Sequence, residues 1–334
     1  MHGWLILDKP LGLGSTQAVS AVKRALRAGG YPKLKVGHGG TLDPLASGVL
    51  PVALGEATKL AGRLLDSDKA YDFTIAFGVE TDTLDAEGRA VATSDHRPTR
   101  AEIEAVLPRF TGAIEQVPPA YSALKVDGER AYDRARAGEA VELARRHVAV
   151  HSLQILPGTG RWQPAGLTEG AGIPADGPIV APPLHHSLPR MVALPVNGEE
   201  LAETTLTAHV SKGTYIRSLA RDIARALGTV GHVSYLRRTR AGPFDLSHAI
   251  SLDKLAEFGQ AARLQELLLP LGAGLDGIPA LSLTPDQAGA LRQGREAIGL
   301  AAADGQYLAL LGETPVALIA VTARIGRVLR GFNI

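Results

Sequence analysis

The residues Gly37-His38-Gly39-Gly40-Thr41-Leu42-Asp43-Pro44-Leu45-Ala46-Ser47-Gly48 place one imidazole and one carboxylate in a glycine-rich run. Glycines at 37, 39 and 40 permit backbone conformations that other residues avoid, and allow close approach of a ligand. A plainer reading fits the same residues: Asp43 as the N-cap and Pro44 as the first residue of a helix. The spacing of a phosphate-binding loop, Gly-x4-Gly-Lys-Ser/Thr, is absent. His38 and Asp43 lack further ligands at metal-binding intervals, so no metal site is expected.

A second candidate is a basic strip. Between Thr205 and Arg240 stand Lys212, Arg217, Arg221, Arg225, Arg237, Arg238 and Arg240 against the single acid Asp222. Arg217, Arg221 and Arg225 recur every fourth residue and so share one helix face, where like charges repel unless something anionic offsets them. A solvated helix face is the ordinary explanation; a polyanion such as RNA is the alternative. Tyr71 and Tyr121 have hydroxyls that could work, but taken alone each reads as a packing tyrosine.

The elements that must position these residues are legible from periodicity. Leu5-Ile6-Leu7 reads as a buried strand. After the turn at Pro10, Gly12 and Gly14, Ser15 or Thr16 could cap a helix that uses Val19, Val22 and Leu26 and stops at Gly29-Gly30. Tyr71, Phe73, Ile75, Phe77 and Val79 alternate with smaller or polar residues, as in a half-buried strand. A helix follows from about Arg100 to Phe110. Val148 to Leu156 and Leu201 to Val210 read as strands, the second turning through Ser211-Lys212-Gly213-Thr214-Tyr215 into a helix stopped by Gly228. Strands and helices in mixed order indicate an α+β fold.

The chain has 334 residues, enough for about two domains. It lacks cysteine, which excludes disulfides, thiolate nucleophiles and Cys-based zinc sites. Lys+Arg 35 against Asp+Glu 34 gives a net charge of +1, so a nucleic-acid partner would have to be held by a local patch. Asp8 and Lys9 interrupt the apolar N-terminal residues, and no apolar run approaches the roughly 20 residues of a membrane span. A cytoplasmic protein with no membrane contact is expected.

Gly158 to Glu200 contains seven glycines and seven prolines. We read it as a disordered or irregular insertion that lengthens a hairpin. Past Gly272 to Gly277 the pattern changes again. Pro279 to Ile298 suggests a short strand and a helix, and Tyr307–Leu311, Val316–Val321 and Arg324–Leu329 suggest strands.

These motifs together resemble a family. The run from Gly37 to Pro51, continuing to Leu54-Gly55-Glu56-Ala57-Thr58-Lys59, is similar to the signature of bacterial tRNA pseudouridine-55 synthases, the TruB family. Five further blocks agree in order: Leu7-Asp8-Lys9-Pro10, Asp66-Ser67-Asp68-Lys69-Ala70-Tyr71, Pro119-Ala120-Tyr121-Ser122-Ala123-Leu124-Lys125, Ser211 to Arg217, and Gly231-His232-Val233-Ser234-Tyr235-Leu236-Arg237-Arg238. The resemblance implies a largely antiparallel central sheet of the pseudouridine synthase type with flanking helices, over residues 1–277. It also implies a small, mostly-β, PUA-like RNA-binding domain over 278–334.

The implied reaction detaches uracil from N1 in the T-loop of tRNA and rejoins it through C5. By resemblance Asp43 is the catalytic carboxylate, as nucleophile or as base on the sugar. Arg217 pairs with it, and Tyr71 stacks on the flipped base. His38, Lys9, Tyr121, Lys125, Lys212 and Leu236 shape the substrate site, while Arg221, Arg225, Arg237 and Arg238 meet the RNA backbone. No cofactor is implied, and a monomer is the simpler expectation. Two features depart from the family: Gly39 stands where Thr is usual, which should loosen the loop beside His38, and the 158–200 insertion is unusually long. An RNA-binding or RNA-folding role without essential chemistry, or action on a different uridine or RNA, are the competing readings.

Overall fold

The computed structural model describes residues 1–122, 124–126, 129–136, 139, 143–156 and 199–334. In chain order the strands are β1 (Gly3–Lys9), β2 (Val36–His38), β3 (Ala46–Leu54), β4 (Lys69–Phe77), β5 (Val79–Thr81), β6 (Ala90–Thr93), β7 (Gly112–Gln116), β8 (Lys125–Val126) and β9 (Glu129–Arg130). The second half adds β10 (Arg146–Ile155), β11 (Glu203–Val210), β12 (Gly231–Ala241), β13 (Phe244–Asp245), β14 (Leu269–Pro270), β15 (Ala280–Ser282), β16 (Gly305–Leu311), β17 (Thr314–Thr322) and β18 (Ile325–Gly331). The helices are α1 (Ser15–Ala28), α2 (Ala61–Asp66), α3 (Arg100–Val106), α4 (Ala131–Arg136), α5 (Ile216–Ala226), α6 (Leu252–Gln260) and α7 (Pro285–Arg292).

Ten strands form one sheet in the order β14-β1-β3-β12-β4-β11-β10-β7, with β13 beside β12 and β2 beside β3. All its pairings are antiparallel except β12 on β3. The expected α+β class and largely antiparallel sheet are therefore present. The parallel contact matters for the site, because it sets Leu236 beside Ala46 and Arg238 beside Gly48. Gly48 makes that approach possible. Its φ is +99°, and a Cβ there would lie 2.2 Å from the Arg238 carbonyl oxygen.

Helices α1, α5 and α6 pack Val19, Val22, Leu26, Leu219, Ile223 and Leu255 into the main core with Phe73, Ile75 and Leu206. Each such buried aliphatic side chain contributes about 1.5–3 kcal/mol relative to exposure. The expected helix starts need one correction. Helix α1 is capped by Gly14, not by Ser15 or Thr16, and Gln17 reaches back to the Gly14 N–H at 2.8 Å. The strand expected over 71–79 spans Lys69–Phe77, because Gly78 at φ +95° breaks it before β5.

Strands β10 and β11 pair up to Ile155 against Leu206, so the 158–200 segment does bridge a hairpin. Of that insertion, residues 158–198 lie outside the described residues. Beyond 278, β15 to β18 form a four-stranded sheet with α7 packed on it. Leu308, Leu318 and Phe332 of this region share a core with Trp4, Val49, Leu64, Phe244 and Leu271, so it is built onto the large sheet. Among the described residues no helix is long and apolar enough to cross a membrane.

Candidate active site

The Asp-Pro pair does not begin a helix. The Asp43 carbonyl accepts from the Ala46 N–H at 3.0 Å, closing a turn that delivers the chain straight into β3. Helix formation loses here because residues 48–54 pair with β1 on one side, while on the other residues 46–48 pair with β12 and 52–54 with β2. Asp43 is thus held at the mouth of a central strand. Its side chain is 40 % exposed and faces a cleft walled by Leu45, Ala46, Asp85, Arg217, Val233, Ser234, Tyr235 and Leu236.

Arg217 enters from the first turn of α5. Its guanidinium donates to the Thr83 carbonyl at 2.8 Å and the Tyr121 carbonyl at 2.9 Å, and it forms ion pairs with Asp43 Oδ2 at 3.0 Å and Asp85 Oδ2 at 3.4 Å. With its side chain only 7 % exposed, this rigid fork fixes one carboxylate oxygen and leaves the rest of Asp43 turned to the cleft. Asp85 is anchored in turn, accepting from Thr83 Oγ1 at 2.6 Å and from the Glu87 N–H at 3.1 Å. Between Thr83 and Asp85, Leu84 has φ +61°, a left-handed conformation that costs a leucine of order 1–3 kcal/mol. That kink lets a carbonyl and a carboxylate two residues apart reach the same guanidinium.

The loop beneath Asp43 is clamped through its backbone. Arg238 is buried and donates to the carbonyls of Gly40, Thr41 and Val49 at 3.2, 3.3 and 2.8 Å. Lys9, fully buried at the end of β1, donates to the carbonyls of Pro10, Leu13 and Pro44 at 3.0, 2.6 and 3.3 Å. Burial pulls the Lys9 ammonium down to about 8, with Asp43 opposing and Arg238 reinforcing the change. Gly39 is closely packed against α2. A Cβ there would meet the Leu64 side chain at 2.7 Å, so glycine lets α2 pack directly against the backbone, and the Gly39 N–H is tied to the Pro51 carbonyl at 2.8 Å.

The other expected site residues are placed as follows. Leu236 lines the cleft, and Tyr71, half-buried, shares its sheet face through the register Leu236–Phe73 and Arg238–Tyr71. His38 lies on β2 with a buried Nδ1 that has no partner, and burial, then the Arg238 charge, lowers its pKa. Tyr121 serves Arg217 through its carbonyl, while its ring meets Tyr132 edge-on. Lys212 is exposed and pairs with Asp66 at 3.1 Å. Lys125 belongs to β8, and only its backbone is described.

Of the four arginines read as an RNA-facing strip, Arg238 requires correction, while the other three hold carboxylates of the protein itself. Arg221 holds Asp222 and the Val117 carbonyl, Arg225 holds Glu80 at 2.7 Å, Arg237 holds Asp8 at 2.8 Å, and Arg238 is in the core. The anions that offset the repeating helix charge are the protein's own: Asp43 and Asp85 at Arg217, Asp222 at Arg221 and Glu80 at Arg225. Sequence reasoning missed Asp85, whose only sign was the polar run Thr81-Asp82-Thr83 before it. It also missed Glu80, Thr83 and Ser15.

Among the described residues no group of three or more His, Cys, Asp or Glu could hold a metal ion. What the arrangement offers is one oriented carboxylate beside a guanidinium at the edge of a partly apolar cleft.

The chain is similar to known proteins over its whole length. Residues 23–164 match the model described as TruB family pseudouridylate synthase (N terminal domain), and 217–276 match the tRNA pseudouridylate synthase B C-terminal domain. The chain is 58 % identical over 334 residues to the tRNA pseudouridine synthase B of Novosphingobium aromaticivorans, covering 100 % of this chain and 98 % of that one. With the protein of the same description from Zymomonas mobilis it shares 56 % over 333 residues, covering 100 % and 96 %. One chain of a solved Cbf5-Nop10-Gar1 complex has the same fold, with TM-score 0.65 at 23 % identity over 99 % of this chain and 84 % of that one. The protein belongs to the TruB family of pseudouridylate synthases.

Proposed function

We propose that this chain converts uridine to pseudouridine in tRNA, at the T-loop uridine that the sequence resemblance implies, with Asp43 as the catalytic carboxylate. The observation that carries this is the Asp43–Arg217 pair, 3.0 Å apart at the mouth of β3 and facing the cleft. The N1–C1′ bond of a stacked nucleotide is inaccessible to a protein group, so the uridine must first leave its stack, at a cost of a few kcal/mol. Asp43 then acts on the sugar, as nucleophile or as base. The uracil detaches at N1, turns, and rejoins C1′ through C5. The C5 proton is released and N1 ends protonated, so atoms balance with no outside donor.

Because the uracil is free of the sugar midway, water must be kept away or an abasic ribose results. Leu45, Val233 and Leu236 supply apolar wall at the cleft, and Tyr71 lies on the same sheet face to stack on the base. His38, at the end of β2, would stand beside the flipped nucleotide and help hold the loop open. The 278–334 region fits a PUA-like RNA-binding role by strand count and position. A monomer is the simpler reading, and a tRNA substrate makes the cytoplasm its place of action. Sequencing-based mapping of pseudouridine in cells with and without the gene tests this: the T-loop signal should vanish with the gene. An unchanged T-loop signal, or loss at another uridine or RNA, refutes the assignment.

A further inference from the structure

Ser15 is of a residue type that usually caps the helix it begins, yet here its hydroxyl is used elsewhere. Its Oγ donates to the Leu42 carbonyl at 2.9 Å and accepts from the Leu42 N–H at 2.8 Å. Both groups belong to the residue immediately before Asp43. Ser15 and Leu42 are each only 4 % exposed, so water is poorly placed to substitute. A hydroxyl donates one hydrogen bond and still accepts, so a single atom satisfies both polar groups of one buried residue. The neighbouring anchors stop short of this point. Arg238 holds Gly40 and Thr41, while Lys9 and the Gly12 N–H hold Pro44. Without Ser15 the loop would be pinned on both sides of its working residue and loose beside it.

We propose that Ser15 is a positioning residue that, through both polar groups of Leu42, sets the backbone from which the Asp43 carboxylate meets Arg217 and the reacting ribose. Helix α1 thereby acts on the site through Ser15 alone, although it contributes no group to the cleft. The inference rests on Asp43 being the catalytic carboxylate. A backbone displacement near 1 Å at such a residue costs on the order of 100-fold in rate, while RNA contacts elsewhere are untouched.

The test is single-turnover isomerisation of unmodified tRNA by the full chain, with tRNA affinity from filter binding and thermal unfolding alongside. Ser15→Ala should turn over ~10- to 100-fold more slowly with affinity within about 3-fold. Ser15→Thr, which keeps the hydroxyl, should recover most of the rate. Thr16→Ala, an exposed change on the same first helical turn, should stay within about 2-fold of the parent. Should Ser15→Ala not fold, Ser15→Cys is read in its place, since a thiol keeps the shape but weakens both hydrogen bonds. Unchanged turnover in that variant, or equal losses in Thr16→Ala, overturns the inference. Asp43→Asn in the same assay separates the two levels. If it stays active, the site assignment itself fails; if it is inactive while Ser15→Ala is unaffected, only the positioning role fails.

Discussion

At the scale of residues, the site is a carboxylate whose orientation is set by one guanidinium held by two carbonyls and a second carboxylate. Lysine could not replace it, because an ammonium is a point charge with three donors and no planar fork. Arg217→Lys should therefore lose turnover, by roughly 100-fold, and leave tRNA affinity within about 3-fold. Single-turnover rates and filter binding on the same preparation measure both. Affinity lost while turnover is kept would make Arg217 a phosphate contact instead, which its burial among carbonyls argues against. Asp43 and Arg217 were reachable in the sequence only through the order of the motifs. Residue spacing alone left Asp43 as a helix cap, because nothing local reveals that residues 46–54 will be captured by strands on both sides.

At the scale of elements, strand ends and helix starts hold the catalytic loop by its backbone. The end of β1 supplies Lys9, whose three ammonium protons go to three carbonyls. Lys69 at the start of β4 does the same for Leu64, Leu65 and Ser67, and burial likewise pulls it down to about 8. Deprotonation leaves two N–H groups for three acceptors, so turnover should fall as pH rises through about 8. Lys9→Met, with no donor at any pH, should be slower throughout and lack that limb. A limb that persists in Lys9→Met belongs to another group.

Folding stability should move the other way. Between about 8 and the ordinary lysine value of 10.5 the unfolded chain holds protons that the folded chain has released, so raising the pH through that window adds stability. Urea unfolding at both ends of the window checks the sign. The strands and long helices were plain in the periodicity. The clamps were not, because a lysine or arginine serving backbone carbonyls looks the same in sequence as one facing solvent. That is why Arg238 read as a phosphate contact and proved to be core.

At the scale of the whole molecule, the 278–334 region is not a detachable appendage. Trp4, on β1, is buried against the chain at 271, its indole N–H donating to the Leu271 carbonyl at 3.0 Å. Leu308, Leu318 and Phe332 close over the same cluster, Lys59 donates to the Gly331 carbonyl at 2.9 Å, and the Asn333 N–H reaches Glu56 at 2.8 Å. Truncation after residue 277 should therefore lower the unfolding midpoint, since it uncovers several buried leucine-sized side chains worth about 1.5–3 kcal/mol each. An unchanged midpoint would show the two regions to be independent. A boundary near 277 was visible as a change of strand pattern. The shared core was not, because its contacts join residues as far apart as Trp4 and Phe332.

The account turns on Asp43, and release of tritium from C5 of uridine in unmodified tRNA reads its chemistry directly, since that hydrogen is lost only when the new bond forms. Asp43→Asn, nearly isosteric but without the charge, should release none above background while binding tRNA within a few-fold of the parent. Release at a rate near that of the parent would contradict the assignment of this carboxylate.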